Sequence, residues 1–182
     1  CLSTTHLAFL DALDEAGTVV GISGGGYINN PAVRSRFEAG NIYDVGYGQN
    51  LNYELLVRLQ PDIVFVYGIG SEITAYVHKL KELGVPVIII AEYLEKSPLG
   101  KAEWIKFVGT LFEKENIAED VFKQIESEYL TLKELAEEAE ARPKVLVGSP
   151  YNGSWWVPGG NSYMANIIAD AGGHYLGRDN SS

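Results

Sequence analysis

The side chains in this sequence that could do chemistry are mostly aromatic, and they recur just after short apolar runs. Thr5 and His6 lie close to the chain start. Tyr27 follows Val19-Val20-Gly21-Ile22-Ser23 and three glycines. Tyr43, Tyr47 and Gln49 stand in the next connection. Tyr67 closes Ile63-Val64-Phe65-Val66. Glu92 and Tyr93 follow Val87-Ile88-Ile89-Ile90-Ala91, and Tyr151, Trp155 and Trp156 follow Val145-Leu146-Val147. Lys and Arg are almost absent from these places. Stiff rings with a polar tip offer contact area and a hydrogen bond rather than acid–base power. The stretch YNGSWWVPGG, residues 151–160, concentrates this chemistry. Two adjacent side chains cannot face one side from a regular element, so its Gly and Pro predict a loop that presents at least one of the two tryptophan rings.

Catalytic readings find little support. Gly24-Gly25-Gly26 is not a GxGxxG fingerprint, and there is no GxxxxGK[ST] loop. Ser23 and Ser71 lack the GxSxG setting of a nucleophile elbow. The three histidines, His6, His78 and His174, are far apart in sequence, and His78 falls on the solvated face of a helical pattern. His6 and Glu92 both stand at strand ends, so a bare-metal site built on that pair stays open as an alternative. No catalytic residue, resident metal or cofactor is expected.

Composition narrows the class further. Of 182 residues, 46% are hydrophobic, enough for one domain with a real core or one and a half small ones. The formal net charge is −10, which argues against nucleic acid as a partner, because phosphate binding needs a basic stripe. No apolar run is long enough to span a bilayer. The one cysteine, Cys1, cannot form an internal disulfide. It reads either as a lipid-anchored residue left by signal-peptide cleavage or as the end of a clipped first strand. The second reading is favoured, because Leu2-Ser3-Thr4-Thr5-His6 runs straight into a helical pattern.

The elements that must position these residues alternate. Residues 7–13 form an apolar helical stripe, 18–23 a strand, 31–39 a short helix, 52–59 a helix halted by Pro61, 62–68 a strand, 74–83 a helix and 85–91 a strand. Strands that are apolar throughout and alternate with helices predict a parallel sheet covered on both faces. The rhythm then breaks. Residues 101–112 are helical, and 117–142 carry apolar positions three and four apart without interruption. A strand at 144–148 and a helix at 162–171 follow, so the last segment, with one strand and one helix, reads as the start of something larger.

Several of these segments resemble one family. Ser3-Thr4-Thr5-His6 before a helix, Val19-Val20-Gly21-Ile22-Ser23, Asp44-Val45-Gly46, Leu80-Lys81-Glu82-Leu83-Gly84-Val85-Pro86-Val87 and, most specifically, Asn52-Tyr53-Glu54-Leu55-Leu56-Val57-Arg58-Leu59-Gln60-Pro61-Asp62-Ile63-Val64-Phe65 are similar to the substrate-binding proteins of iron-chelate and cobalamin ABC importers. The resemblance covers almost the whole chain and implies a two-lobed α/β fold of the class III, helical-backbone type. It divides the chain into an N-terminal lobe at 1–112 with a parallel sheet, a connecting helix at 113–143, and a C-terminal lobe at 144–182 that is cut short.

The resemblance also implies a function and a site. The chain would be exported, would not be an enzyme, and would deliver an iron chelate (a siderophore or haem) or a corrinoid to the membrane subunits of an ABC importer. Any iron or cobalt would belong to that ligand. Thr5, His6, Tyr27, Tyr47, Tyr67, Glu92, Tyr93, Tyr151, Trp155 and Trp156 would bind it in a groove between the lobes, and Glu54 would dock on the importer. The alternatives are a bare-metal receptor using His6 and Glu92, and an α/β enzyme or scaffold of the metallocluster type. The second is disfavoured, because such proteins commonly hold clusters with cysteines at strand ends.

Overall fold

Val64, Phe65 and Val66 are all buried, and this fully apolar strand organises the first part of the chain. In the computed structural model, which describes residues 1–68 and 72–180, the chain forms two compact units. The first comprises Cys1–Ala91 with Leu111–Lys114, and the second Glu92–Thr110 with Glu115–Ser182.

In the first unit the helices are α1 (His6–Ala12), α2 (Pro31–Glu38), α3 (Tyr53–Leu59) and α4 (Glu72–Glu82), and the strands are β1 (Gly21–Ile22), β2 (Tyr43–Asp44), β3 (Val64–Val66) and β4 (Val87–Ile89). β1 pairs with β2 and β3 with β4, both in parallel, with Val64 opposite Val87 and Val66 opposite Ile89. Cys1 and Leu2 occupy the position of a strand between the two pairs. Cys1 N donates to Gly21 O at 2.9 Å and Ser23 N donates to Cys1 O at 3.0 Å, while Leu2 N donates to Phe65 O at 2.8 Å. One residue bridging two partners two apart is the parallel-ladder pattern.

Both faces of this sheet are covered, as the uniform apolarity of its strands requires. Val64 and Val66 pack with Leu2, Val45, Leu55, Leu56, Leu80 and Val85. Phe65, on the other side of the pleat, meets His6 and Phe112. α3 starts where the sequence places it. The Asn52 side chain caps it by accepting from Leu55 N at 3.0 Å, and Gln60 ends it in the left-handed region with φ 46°. Tyr43–Asp44 is a strand where the sequence reading had only a connection, and the strand expected over 18–23 is reduced to Gly21–Ile22 behind a 3-10 turn at Ala16–Thr18.

The second unit holds helices α5 (Pro98–Thr110), α6 (Glu115–Glu137) and α7 (Tyr163–Asp170) and strands β5 (Lys144–Val145), β6 (Ser149–Tyr151), β7 (Ser154–Trp156) and β8 (His174–Tyr175). α5 packs on α6, where Lys106 bonds Glu119 at 3.0 Å and lies 4.0 Å over the Phe122 ring. By this packing α5 goes with the second unit, whereas the sequence reading counted it in the first lobe. α6 stops at Glu137, five residues short of the expected 142. Tyr129 and Lys133 tie it to α7 through Asp170, at 2.6 and 3.0 Å. Its apolar stripe is buried early, at Ala118 and Phe122, and exposed late, at Leu132 and Leu135.

Two elements of this unit were not expected. His174–Tyr175 is a strand paired in parallel with Lys144–Val145, so the segment after 143 holds more than one strand and one helix. The supposed loop after it is a hairpin: β6 and β7 pair antiparallel, Tyr151 opposite Ser154 and Ser149 opposite Trp156. Its turn is Asn152-Gly153, with φ 48° and 76°. Positive φ at both central residues is the type I′ geometry that matches strand twist, and Asn-Gly is its preferred sequence.

Candidate functional site

In the first unit the strand ends gather aromatic side chains into a row. The His6 ring stands edge-on to Phe65 and to Tyr67, with centroids 5.9 and 6.3 Å apart. Tyr67 lies 6.3 Å from Tyr47 with the rings tilted by 30°. The Tyr67 hydroxyl donates to the Tyr47 hydroxyl at 2.9 Å, and the Tyr76 hydroxyl donates to the Tyr67 carbonyl. The bond to Tyr47, which holds the Tyr67 proton, and partial burial together push the Tyr67 phenol up to about 12. Tyr47 is 62% exposed.

His6 is fully buried, and its two ring nitrogens have no hydrogen-bond partner among the described residues. Burial disfavours the imidazolium and takes its pKa down to about 3. The neutral ring is thus packed as an aromatic and does not offer nitrogen to solvent. Thr5, next to it, is exposed and shares a 2.8 Å hydroxyl contact with Ser3.

Tyr27 is the most exposed of the aromatic candidates, at 78%. It sits in a 3-10 turn, Gly25–Tyr27, entered through Gly24 at φ 76°. Asp44 ties this turn to the connection carrying Tyr47. Its carboxylate accepts Gly46 N at 2.9 Å and Gly25 N at 3.4 Å, and Ser23 Oγ donates to Gly46 O. Sequence reasoning passed over Asp44 and Tyr76. Asp44 had a usable signal, because an Asp two residues before a Gly makes an Asx-turn; Tyr76 had none beyond a place on a helix. Residues 69–71, the remainder of the strand-end segment beyond Gly68, lie outside the described residues.

In the second unit the hairpin carries Tyr151, Trp155 and Trp156, all exposed, at 65%, 53% and 66%. Strand alternation sorts them. Tyr151 and Trp156 share one face with Ser149 and Ser154, and Trp155 shares the other with Pro150. So the rings diverge, as the sequence argument required, but from a regular element rather than a loop. Gly148 sets the base of the hairpin. Its φ is 123°, and a Cβ there would lie 2.0 Å from the Trp156 carbonyl. Glu92 and Tyr93 fall in a 3-10 turn at Glu92–Leu94, the acid buried and the tyrosine partly so. The structure thus brings together His6, Tyr67 and Tyr47 in one unit, and Tyr151 and Trp156 in the other. Glu54 stands exposed in the first turn of α3, pointing outward as its place beside Leu55 and Leu56 requires.

Comparison with known proteins bears on the family and the fold. The sequence profile of the family described as "Periplasmic binding protein" matches residues 1–177. An uncharacterized lipoprotein of Methanocaldococcus jannaschii is 32% identical over 98% of this chain, and the chain spans 44% of that relative's length. Among solved structures, the periplasmic haem-binding protein HutB of Vibrio cholerae superimposes with a TM-score of 0.73 at 20% identity, over 94% of this chain and 62% of its own. The periplasmic vitamin B12 binding protein BtuF of the same organism does so with a TM-score of 0.68 at 14% identity, over 100% of this chain and 66% of its own. The α/β architecture is theirs, and no helix among the described residues is long and apolar enough to cross a membrane. On the strength of the profile match over nearly its whole length and of this relative, the chain belongs to the periplasmic binding protein family.

Proposed function

We propose that this chain is the exported, non-catalytic substrate-binding component for an iron chelate or a corrinoid, and that it hands this ligand to the membrane subunits of an ABC importer. The observation that carries the reading is the exposed aromatic surface that each unit offers: Tyr27 and the Tyr67–Tyr47 pair in the first, and the Tyr151, Trp155, Trp156 hairpin in the second. Large, flat, metal-bearing ligands are gripped by such rings with few polar contacts. The names of the relatives that bind haem and vitamin B12 point to the same class. A bare-metal receptor is less well supported, because His6 and Glu92, its two donors, are both buried. An enzyme or scaffold of the metallocluster type is disfavoured too, because Cys1 is the one cysteine available to hold a cluster.

Glu54 is the proposed importer contact. It is exposed at a helix start, where the helix dipole also favours a carboxylate, and a charge at an interface rim sets orientation and encounter rate more than affinity. Native mass spectrometry of the full-length chain against haem, cyanocobalamin, cobinamide and ferric siderophores tests the ligand class. A one-to-one complex with one of these is expected. A protein that binds none of them and instead takes up free zinc or manganese would contradict the reading.

A further inference from the structure

We propose that the two adjacent tryptophans of the hairpin have separate roles: Trp156, with Tyr151, contacts the ligand, and Trp155 is a positioning residue that packs the opposite face and holds the hairpin in shape. The inference rests on the binding role proposed above and divides that role between residues. The strand register separates them. Asn152-Gly153 is a two-residue turn, so the pair that closes it, Tyr151 with Ser154, is of the hydrogen-bonded kind. Pair types alternate from there, which makes Pro150 with Trp155 a non-hydrogen-bonded pair. A proline fits there, since the ladder asks no N–H of it, and side chains directly opposite come closest in such a pair. Gly148, two residues before Pro150, leaves room for the indole: a Cβ there would lie 3.0 Å from Trp155 Nε1. The Trp155 ring is thus laid back along its own hairpin, over Pro150 toward Gly148.

The other face is built differently. Tyr151 and Trp156 lie on one diagonal across the two strands, and Ser149 and Ser154 on the other. The serines are too small to flank the rings, and both rings are more exposed than that of Trp155. Two rings with two hydroxyls between them offer one side of a bulky ligand apolar contact and hydrogen bonds together. A ligand lying on that face does not meet Trp155, because successive strand side chains point to opposite sides. The chain is pinned just beyond Trp156, where the hydroxyl of the buried Tyr175 donates to the Pro158 carbonyl at 2.6 Å.

The test uses the full-length chain as wild type, Trp156→Ala, Trp155→Ala and Trp155→Phe. It measures affinity for ferric haem, cyanocobalamin and a ferric trihydroxamate, and amide exchange across β6 and β7. Loss of an aromatic contact weakens binding by about tenfold. For a probe that binds wild type, Trp156→Ala should weaken binding by about that factor with the hairpin amides still protected. Trp155→Ala should speed exchange across β6 and β7 and weaken binding less than Trp156→Ala. Trp155→Phe keeps a ring over Pro150 and should recover most of both the protection and the affinity. The inference is overturned, with the binding role intact, if Trp156→Ala binds as tightly as wild type or loses the hairpin's protection. It is overturned too if Trp155→Ala or Trp155→Phe weakens binding about tenfold while the hairpin stays protected. If none of the three probes binds wild type, the binding role fails and the inference fails with it.

Discussion

His6 departs furthest from ordinary side-chain behaviour. Its folded pKa is near 3, against an unfolded value of 6.5, so between these values the unfolded chain binds more protons than the folded one. Stability conferred by the neutral ring is therefore complete above pH 6.5 and is lost as pH falls toward 3. Below pH 6 the loss should approach about 1.4 kcal/mol per pH unit. Thermal unfolding from pH 7 to 5 should show this slope, and His6→Phe should flatten it, since no hydrogen bond among the described residues is lost with the ring nitrogens. An unchanged slope in His6→Phe would mean that the acid sensitivity lies elsewhere. Tyr67 works in the opposite sense. Its folded pKa is raised from 10 to about 12, so its contribution is intact below pH 10 and lost through 12. The outward position of Glu54 was legible from its place beside Leu55 and Leu56. The burial of His6 was not, because Thr-Thr-His before a helix reads as a polar start. The residues that enclose it, Phe65 and Tyr67, are some sixty positions away, a pairing that no local pattern encodes.

Among the elements, β3 and β4 were readable as uninterrupted apolar runs, and α3 as an Asn-capped helix, because period and capping are local signals. β5 was expected within a strand over 144–148 and is confined to Lys144–Val145, whereas β8 has only two residues, too few to show any period, and follows Gly172-Gly173, which reads as a stop. The hairpin was misread for a different reason. The crowding of Gly and Pro suggested a loop, although Asn152-Gly153 between Tyr151 and Ser154 is the stronger signal of a tight antiparallel turn. That turn gives the hairpin a testable dependence on glycine. Gly153→Ala places a side chain at φ 76° and should cost about 1 kcal/mol of local stability. Gly148→Ala adds a collision with the Trp156 carbonyl to a φ of 123° and should cost about 1–3 kcal/mol. Amide exchange across β6 and β7 measures both, and Gly148→Ala should exchange faster than Gly153→Ala. Equal protection in the two variants would show that the base of the hairpin is less constrained than its geometry implies.

For the molecule as a whole, the net charge of −10 and the exposed Glu54 bear on the proposed importer contact. Glu54→Arg should leave ligand affinity unchanged and lower uptake through the full importer, more so at low salt, where exposed charges are less screened. Normal transport with Glu54→Arg would return this residue to the role of a first-turn helix acid. The central claim, that exposed aromatic side chains hold a chelate or corrinoid, is tested most directly by tryptophan fluorescence. Titration of the full-length chain with the ligand found by mass spectrometry should quench the emission of Trp155 and Trp156. The double variant Trp155→Ala with Trp156→Ala should lose that quenching and bind more weakly by roughly 1–3 kcal/mol, the scale of lost aromatic anchors. Affinity unchanged in the double variant would contradict the account.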